Sequence, residues 1–348
     1  MGVGSAGGMI PRGLQRIAVV QPLPGIGDMI WHLPHIRAIA EHAGVAVTLI
    51  AKPRSAADQL LRADPAVAEV MWVDRNPEGR LGRHDGAFGQ VRLIRDLRAR
   101  RFQALVLLHH SHTLAFAGMA AGIPLRLGYG HGWQRRFLNR PPFLPPEALT
   151  LHPHDQATAY LKLAGIPMPE AEPLLSVGPA ARVALAGRLA GREKPYLTVG
   201  IGSSEPYKQW GAIRFAELIA ALAGLGWRTI VLVGGKAEAS LAEAILARLG
   251  DDAASVVPAI DWPLPELAAL FADAAFYVGN DTGVMNMAAA SGIQSYGLFG
   301  GTLPFGHASR IVAILPPDGR IDRERGMARI EIAHVLRRIE GDRGFVTP

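Results

Sequence analysis

Short apolar runs alternate with longer amphipathic stretches along most of the chain. Residues 16–21, 45–51, 69–73, 104–108 and 125–129 are apolar runs of strand length. Helix-length patterns stand between them, at about 28–42, 56–61, 90–101 and 114–121, and a further helix is expected at 154–164. Strands that read as continuous apolar runs, separated by helices, predict a parallel sheet covered on both faces. The rhythm then breaks at 130–146, which carries Trp133, Arg135, Arg136, Arg140 and several prolines, and again at the Pro-rich stretch 166–179. The second half repeats the scheme. Strands are expected at 196–201, 229–233, 255–257 and 276–280, with a further apolar strand ending at Phe299-Gly300, helices at 212–225, 237–249 and 264–272, and a closing amphipathic helix at 327–339. Two α/β domains follow, 14–166 and 180–348, read as Rossmann-like halves joined by the Pro-rich linker and facing a central cleft. The closing helix is a candidate to pack back on the first domain.

Composition agrees and narrows the partners. A chain of 348 residues fits two domains. With 49% hydrophobic and 19% charged residues it can build ample core. The absence of cysteine excludes disulfides, thiolate zinc sites and cysteine nucleophiles, and suits a reducing, cytoplasmic compartment. No apolar run reaches the roughly 18 residues of a membrane span. The Gly- and Ala-rich first dozen residues lack an apolar h-region and read as a disordered leader rather than a signal peptide. A net charge of +6 favours anionic partners, such as nucleotides, anionic glycolipid or membrane headgroups, and permits peripheral attachment to an inner membrane face. No compact basic recognition helix points to nucleic acid.

Six stretches carry candidate chemistry. The turn Pro24-Gly25-Ile26-Gly27-Asp28 follows the first strand. It lacks the third glycine of a dinucleotide fingerprint, and no acidic residue ends the second strand, so it does not read as a cofactor site. Asp28 is either an N-cap or a base whose carboxylate faces substrate. In the second half, Gly202, Ser203 and Ser204 offer donors suited to phosphate, and Lys208 is a cation placed just before a helix start. Helix dipoles disfavour a cation there, so Lys208 makes sense beside a bound anion; a solvated surface lysine is the alternative. Trp210 reads as packing. The turn Asn280-Asp281-Thr282-Gly283 joins an apolar strand to a small-residue helix. It is either a simple capped start or a cradle for phosphate and sugar hydroxyls. Trp262 is placed to stack on a nucleobase or to join the core. His109, His110 and His112 end the fourth strand. Alternation along a strand argues against a shared metal ion, and His109 is a candidate acceptor contact instead. Arg135 and Arg136 form a basic loop that either meets an anionic acceptor or is merely solvated.

Taken in order, the Gly-Ile-Gly-Asp28 turn, the Lys208 loop and Gly-Asn-Asp281-Thr-Gly-Val-Met-Asn-Met-Ala-Ala-Ala resemble glycosyltransferase family 9, the heptosyltransferases of lipopolysaccharide synthesis, over nearly the whole chain. The resemblance implies the GT-B architecture, with ADP-heptose held by the second domain and the acceptor by the first. It implies that Asp28 deprotonates an acceptor hydroxyl for one inverting displacement. It implies that Ser203, Ser204 and Lys208 hold the diphosphate, that Asp281, Thr282 and Gly283 meet donor sugar and phosphate, and that Trp262 lines the adenine pocket. Gly27, His109, Arg135 and Arg136 fall on the acceptor side. Neither metal nor cofactor is implied, the nucleotide sugar being a substrate. The chain departs from the family at Asn286 and at Trp31, where the family often carries histidine. A GT-B-like sugar-nucleotide epimerase and a non-catalytic glycolipid binder are the alternatives.

Overall fold

The computed structural model describes residues 10–76, 79–168, 172–304 and 308–343. The proposed leader falls largely on residues 1–9, outside the described residues; Ile10, just beyond, is buried. The chain divides into two compact units, Met1–Pro173 and Leu174–Pro348.

The first unit runs β1 (Ile17–Gln21), α1 (Ile26–Ala43), β2 (Val47–Ala51), α2 (Ala57–Leu60), β3 (Val67–Trp72), α3 (Gly86–Arg100), β4 (Ala104–Leu107), α4 (His112–Ala120), β5 (Leu125–Gly128) and α5 (Pro153–Leu163). Its five strands are all parallel, in the order β3-β2-β1-β4-β5. The central strand β1 is buried along its whole length, as its unbroken apolar run requires. Ala18, Val20, Leu105 and Leu107 face one side, against Leu93 and Leu97 of α3 and Leu114 and Ala117 of α4. The crossover from β1 to β2 through α1 reverses direction relative to that from β3 to β4. Right-handed connections therefore put α1 on the opposite face, where it packs against α5.

The second unit runs α6 (Pro179–Arg188), β6 (Leu197–Gly200), α7 (Ala212–Gly224), β7 (Ile230–Gly234), α8 (Ala239–Leu249), β8 (Val256–Ile260), α9 (Leu264–Asp273), β9 (Tyr277–Asn280), α10 (Gly283–Ala290), β10 (Ser295–Leu298), β11 (Ile311–Ile314) and α11 (Ile332–Arg343). Six parallel strands lie in the order β11-β10-β9-β6-β7-β8. The closing helix α11 packs on α7, with Val335 and Ile339 in this unit's core. Two elements go beyond the sequence expectation. Pro179 opens α6 directly from the Pro-rich stretch, since its fixed φ suits a first helical turn. β11 is a four-residue edge strand too short to show a pattern. Strand β8 also continues to Ile260, and α11 begins at Ile332 after a separate 3-10 turn, Met327–Arg329.

In both units the chain order reverses beside the first strand, between β1 and β4 and between β6 and β9. Loops diverge there at the carboxyl edge of the sheet and leave a crevice where ligands of open α/β sheets bind.

Candidate active site

At the β6/β9 reversal the backbones approach closely. A Cβ on Gly279 would lie 2.3 Å from the Gly200 carbonyl oxygen, and one on Gly200 would lie 1.9 Å from the Tyr277 hydroxyl. Glycine at both positions lets the two strands and their loops meet. Asn280 at the end of β9 is fully buried and uses its amide as a clasp. Its Nδ2 donates to the carbonyls of Ile201 (3.2 Å) and Gly202 (3.1 Å) and to Gln209 Oε1 (3.2 Å). The loop after β6 is thereby fixed against the turn after β9. Lys208, in the 3-10 turn Pro206–Lys208, extends Nζ to 2.7 Å from Asp281 Oδ2. The Thr302 hydroxyl donates to the same oxygen at 2.7 Å. Lys208 is thus not a solvated surface lysine; the anion beside it is the Asp281 carboxylate.

Helix α10 starts directly after this cluster. Thr282 holds the N-cap position, but its side chain accepts no capping hydrogen bond, so the first-turn N–H groups stay available to a ligand. Asn286 folds its amide back on the Thr282 carbonyl at 3.0 Å. Ser203 is turned away: its hydroxyl donates to the Glu205 carbonyl at 2.6 Å, whereas Ser204 is exposed. Trp262, after β8, is half-buried with the Arg188 guanidinium 4.5 Å over its ring, so it is a partly open stacking face and not core. Trp210 is core, 2% exposed, with Nε1 donating to the Ile330 carbonyl.

In the first unit, α1 begins at Ile26 and not at Asp28. Extended Gly25 serves as N-cap, which draws Gly27 into the first turn and makes Asp28 the third helical residue rather than the cap. Asp28 Oδ2 accepts the Gly25 N–H at 3.2 Å. Burial raises the Asp28 pKa above 3.8, opposed by the Gly25 N–H and by the positive field of His152. His32 lies beneath, with Nδ1 2.7 Å from the Asp28 carbonyl oxygen, and desolvation lowers its pKa to about 4. Trp31 is buried and meets His154 edge-on. His35 hydrogen-bonds Thr158 at 2.8 Å, tying α1 to α5.

His109 stands at the β1/β4 reversal. The strand ends at Leu107, so the alternation expected to separate His109 from His110 does not apply, and their rings stack at 4.2 Å. Desolvation first, then the charges of His110, His32 and Lys52, lower the His109 pKa to about 4. Among the described residues no three His, Asp or Glu side chains are grouped to hold a metal ion. A cavity of about 330 Å³ opens here, lined by Pro24, Lys52, Arg75, Asp85, His109 and Ser111 among others. The following 3-10 segment, Gly132–Phe137, is pinned by buried Gln134, which donates to the His109 carbonyl and accepts the Gly130 N–H. Its Arg135 lies over Phe143 and its Arg136 over Trp133, both guanidinium groups exposed.

The family model described as glycosyltransferase family 9 (heptosyltransferase) matches residues 90–308. The chain belongs to glycosyltransferase family 9. Solved GT-B structures share the fold. ADP-heptose LPS heptosyltransferase II of E. coli is 23% identical with a TM-score of 0.74, over 94% of this chain and 98% of that one. A glycosyltransferase family 9 protein of Veillonella parvula gives 20% and 0.78 over 97% and 99%. E. coli heptosyltransferase WaaC, solved with ADP-2-deoxy-2-fluoro heptose, gives 20% and 0.71 over 94% and 100%. No curated protein sequence matches the chain. Among the described residues no helix is long and apolar enough to cross a membrane.

In this family 9 chain the structure brings Lys208, Asp281, Thr282 and Gly283 together in the second unit, and Asp28, Gly27 and His109 to the β1/β4 edge of the first. Several neighbours escaped the sequence reading. Thr302 acts through a contact across 21 residues of chain, with no local signal. Glu238, after β7, accepts the Gly235 N–H at 2.9 Å and lies beside Gly202; an acidic residue just past a strand end was its only signature. Lys52 and Arg75 sit just past β2 and β3, where a strand-end cation is easily read as ordinary surface charge.

Proposed function

We propose that this glycosyltransferase moves heptose from ADP-heptose to a hydroxyl of an anionic saccharide or glycolipid acceptor, such as lipopolysaccharide core, with inversion at the anomeric carbon. The observation that carries the donor half is the Lys208–Asp281–Thr302 cluster beneath the uncapped start of α10, at the β6/β9 reversal. A diphosphate arriving there meets a cation already in place and a row of backbone donors. Asp281, Thr282, Gly283 and Ser204 meet donor sugar and phosphate, with Ser203 contributing after its hydroxyl leaves Glu205. Trp262 stacks on the base, and Glu238 is placed to take ribose hydroxyls, as acidic residues at strand ends do in related folds. The ADP-heptose named for the E. coli neighbours supports the choice of donor.

Asp28 takes the proton of the acceptor hydroxyl; its raised pKa brings it nearer the operating pH than an ordinary carboxylate. The acceptor oxygen then forms its bond to the anomeric carbon as the bond to the β-phosphate oxygen breaks. ADP leaves with its new charge compensated by Lys208 and the α10 N-terminus, so no metal ion is required. Lys52, Arg75, His109, Arg135 and Arg136 form the acceptor side. The enzyme works in the cytoplasm, peripherally at the inner membrane face.

Asp28→Asn tests the assignment. Turnover should fall about 10²–10⁴-fold, the usual contribution of a general base, while ADP affinity stays within about twofold. Parallel loss of both would remove Asp28 as base. Thermal stabilisation by ADP but not by UDP, GDP or dTDP is expected, and turnover should survive a chelator. Conversion of ADP-heptose without any acceptor would favour an epimerase instead.

A further inference from the structure

Helices α3 and α4 cover the same face of the first sheet, and their outward surfaces carry an unusual residue mixture. The face of α3 opposite Leu93 and Leu97 presents Phe88, 84% exposed, and Val91, 52% exposed, beside Arg92 and Arg95. Adjacent α4 presents Phe116 and Met119 to solvent. The segment Gly132–Phe137 packs on α4 through the Phe116–Phe137 ring contact, at 5.3 Å, and adds Trp133, 64% exposed. The helices are cross-tied: Gln90 donates to the Thr113 carbonyl and Arg98 to that of Ala120. The exposed apolar groups are therefore held on a framed surface.

Arginine dominates the charge here. Helix α3 carries Arg92, Arg95, Arg98 and Arg100, the last paired with Glu69 at 2.7 Å, and residues 131–140 add Arg135, Arg136 and Arg140. The one carboxylate of these segments, Asp96, is engaged by Arg83 and His84. Aromatic side chains interleaved with arginines match a lipid interface, where rings enter the headgroup layer and guanidinium groups meet anionic lipid. The N-termini of α3 and α4 stand at the carboxyl edge of the sheet. Asp85 and Ser111, which begin them, line the cavity that also holds Lys52 and His109.

We propose that the α3–α4 face with Trp133 docks on an anionic phospholipid bilayer and so presents the cavity edge to an acceptor anchored in that bilayer. The purpose rests on the lipid-linked acceptor reading above; the binding itself does not.

The test is flotation of the full chain with phosphatidylcholine vesicles and with vesicles of mixed phosphatidylcholine and phosphatidylglycerol, without nucleotide. Binding should require the anionic lipid and weaken with salt. Arg92→Glu/Arg95→Glu should weaken it by about 25-fold or more, roughly fivefold per arginine near an anionic surface. Phe88→Ser/Trp133→Ser should remove the portion of binding that survives high salt. Both double variants should keep wild-type ADP-induced thermal stabilisation, which reports their fold and the donor site separately. Equal vesicle binding by wild type and both variants would overturn the proposal. So would retention on duplex DNA with no vesicle binding. If the variants behave as expected but no chain responds to ADP, the docking face stands and the donor assignment fails.

Discussion

Asp28 holds its carboxylate where desolvation opposes ionisation more than the Gly25 N–H supports it. A carboxyl whose folded pKa lies above 3.8 lowers stability once ionised. That loss is complete above the folded value and absent below 3.8. Asp28→Asn should therefore raise the melting temperature at neutral pH while removing turnover, and the gain should shrink as pH falls toward 3.8; an equal shift at both ends would mean the side chain is not desolvated. The acid limb of kcat/KM should lie above the ordinary carboxylate range for the same reason. Lys208 has a different role. Its partner Asp281 is only 13% exposed in its side chain, so Lys208→Ala leaves a largely enclosed carboxylate with Thr302 alone. About 1–3 kcal/mol of stability should be lost, less than for a fully buried pair. ADP affinity should drop about tenfold or more in calorimetry, since a charge-assisted contact to phosphate disappears. Unchanged affinity would mean that Lys208 serves Asp281 only.

The loops after β6 and β9 act as one element because Gly200 and Gly279 let the strands meet and Asn280 ties their ends. Gly279→Ala places a methyl carbon 2.3 Å from the Gly200 carbonyl oxygen, a backbone atom with no side-chain freedom to yield. Overpacking of this kind costs about 1–3 kcal/mol. It should lower both the melting temperature and ADP affinity, since the strand that moves leads directly into Asp281. A variant that melts earlier yet binds ADP normally would uncouple the loop from the site. Such contacts also mark what was legible in the sequence. The succession of strands and helices followed from continuous apolar runs and 3.6-residue periodicity; the order of strands within each sheet, and so the reversal points, did not, because pairing between distant strands leaves no local pattern. Lys208 and the Asp281 turn were legible because glycine and polar residues punctuate strand ends. Their mutual ion pair was not, because it joins residues 73 positions apart. The cap at Gly25 was misread since a glycine cap has no side chain to announce it. The first unit's cavity was hidden because its lining comes from the ends of four strands.

The molecule is chemically lopsided in its titratable groups. Ten of its twelve histidines lie in the first unit, all but His307 and His334. Three of them are strongly perturbed: desolvation lowers His32 and His109 to about 4 and drives His35 well below 6.5. Among the second unit's described residues the one histidine is His334. A base whose folded pKa falls below its unfolded value contributes stability that is fully present above 6.5 and is lost as pH falls toward the folded value. For His32 the interval from 6.5 to about 4 corresponds to on the order of 3 kcal/mol. Asp28 works in the opposite sense, since its protonation favours the fold, but it is one group against three. Mild acid between those limits should therefore loosen the first unit before the second. Hydrogen exchange should show protection declining first in β1, α1 and β4, while β6, β7 and β9 keep theirs. His32→Gln should reduce the pH dependence over the same window, because a neutral amide has no proton to take up. Uniform loss of protection in both units would mean that the buried imidazoles do not set acid stability. Retention of ADP binding after acid has opened the first unit would show that the donor half folds and functions without its partner.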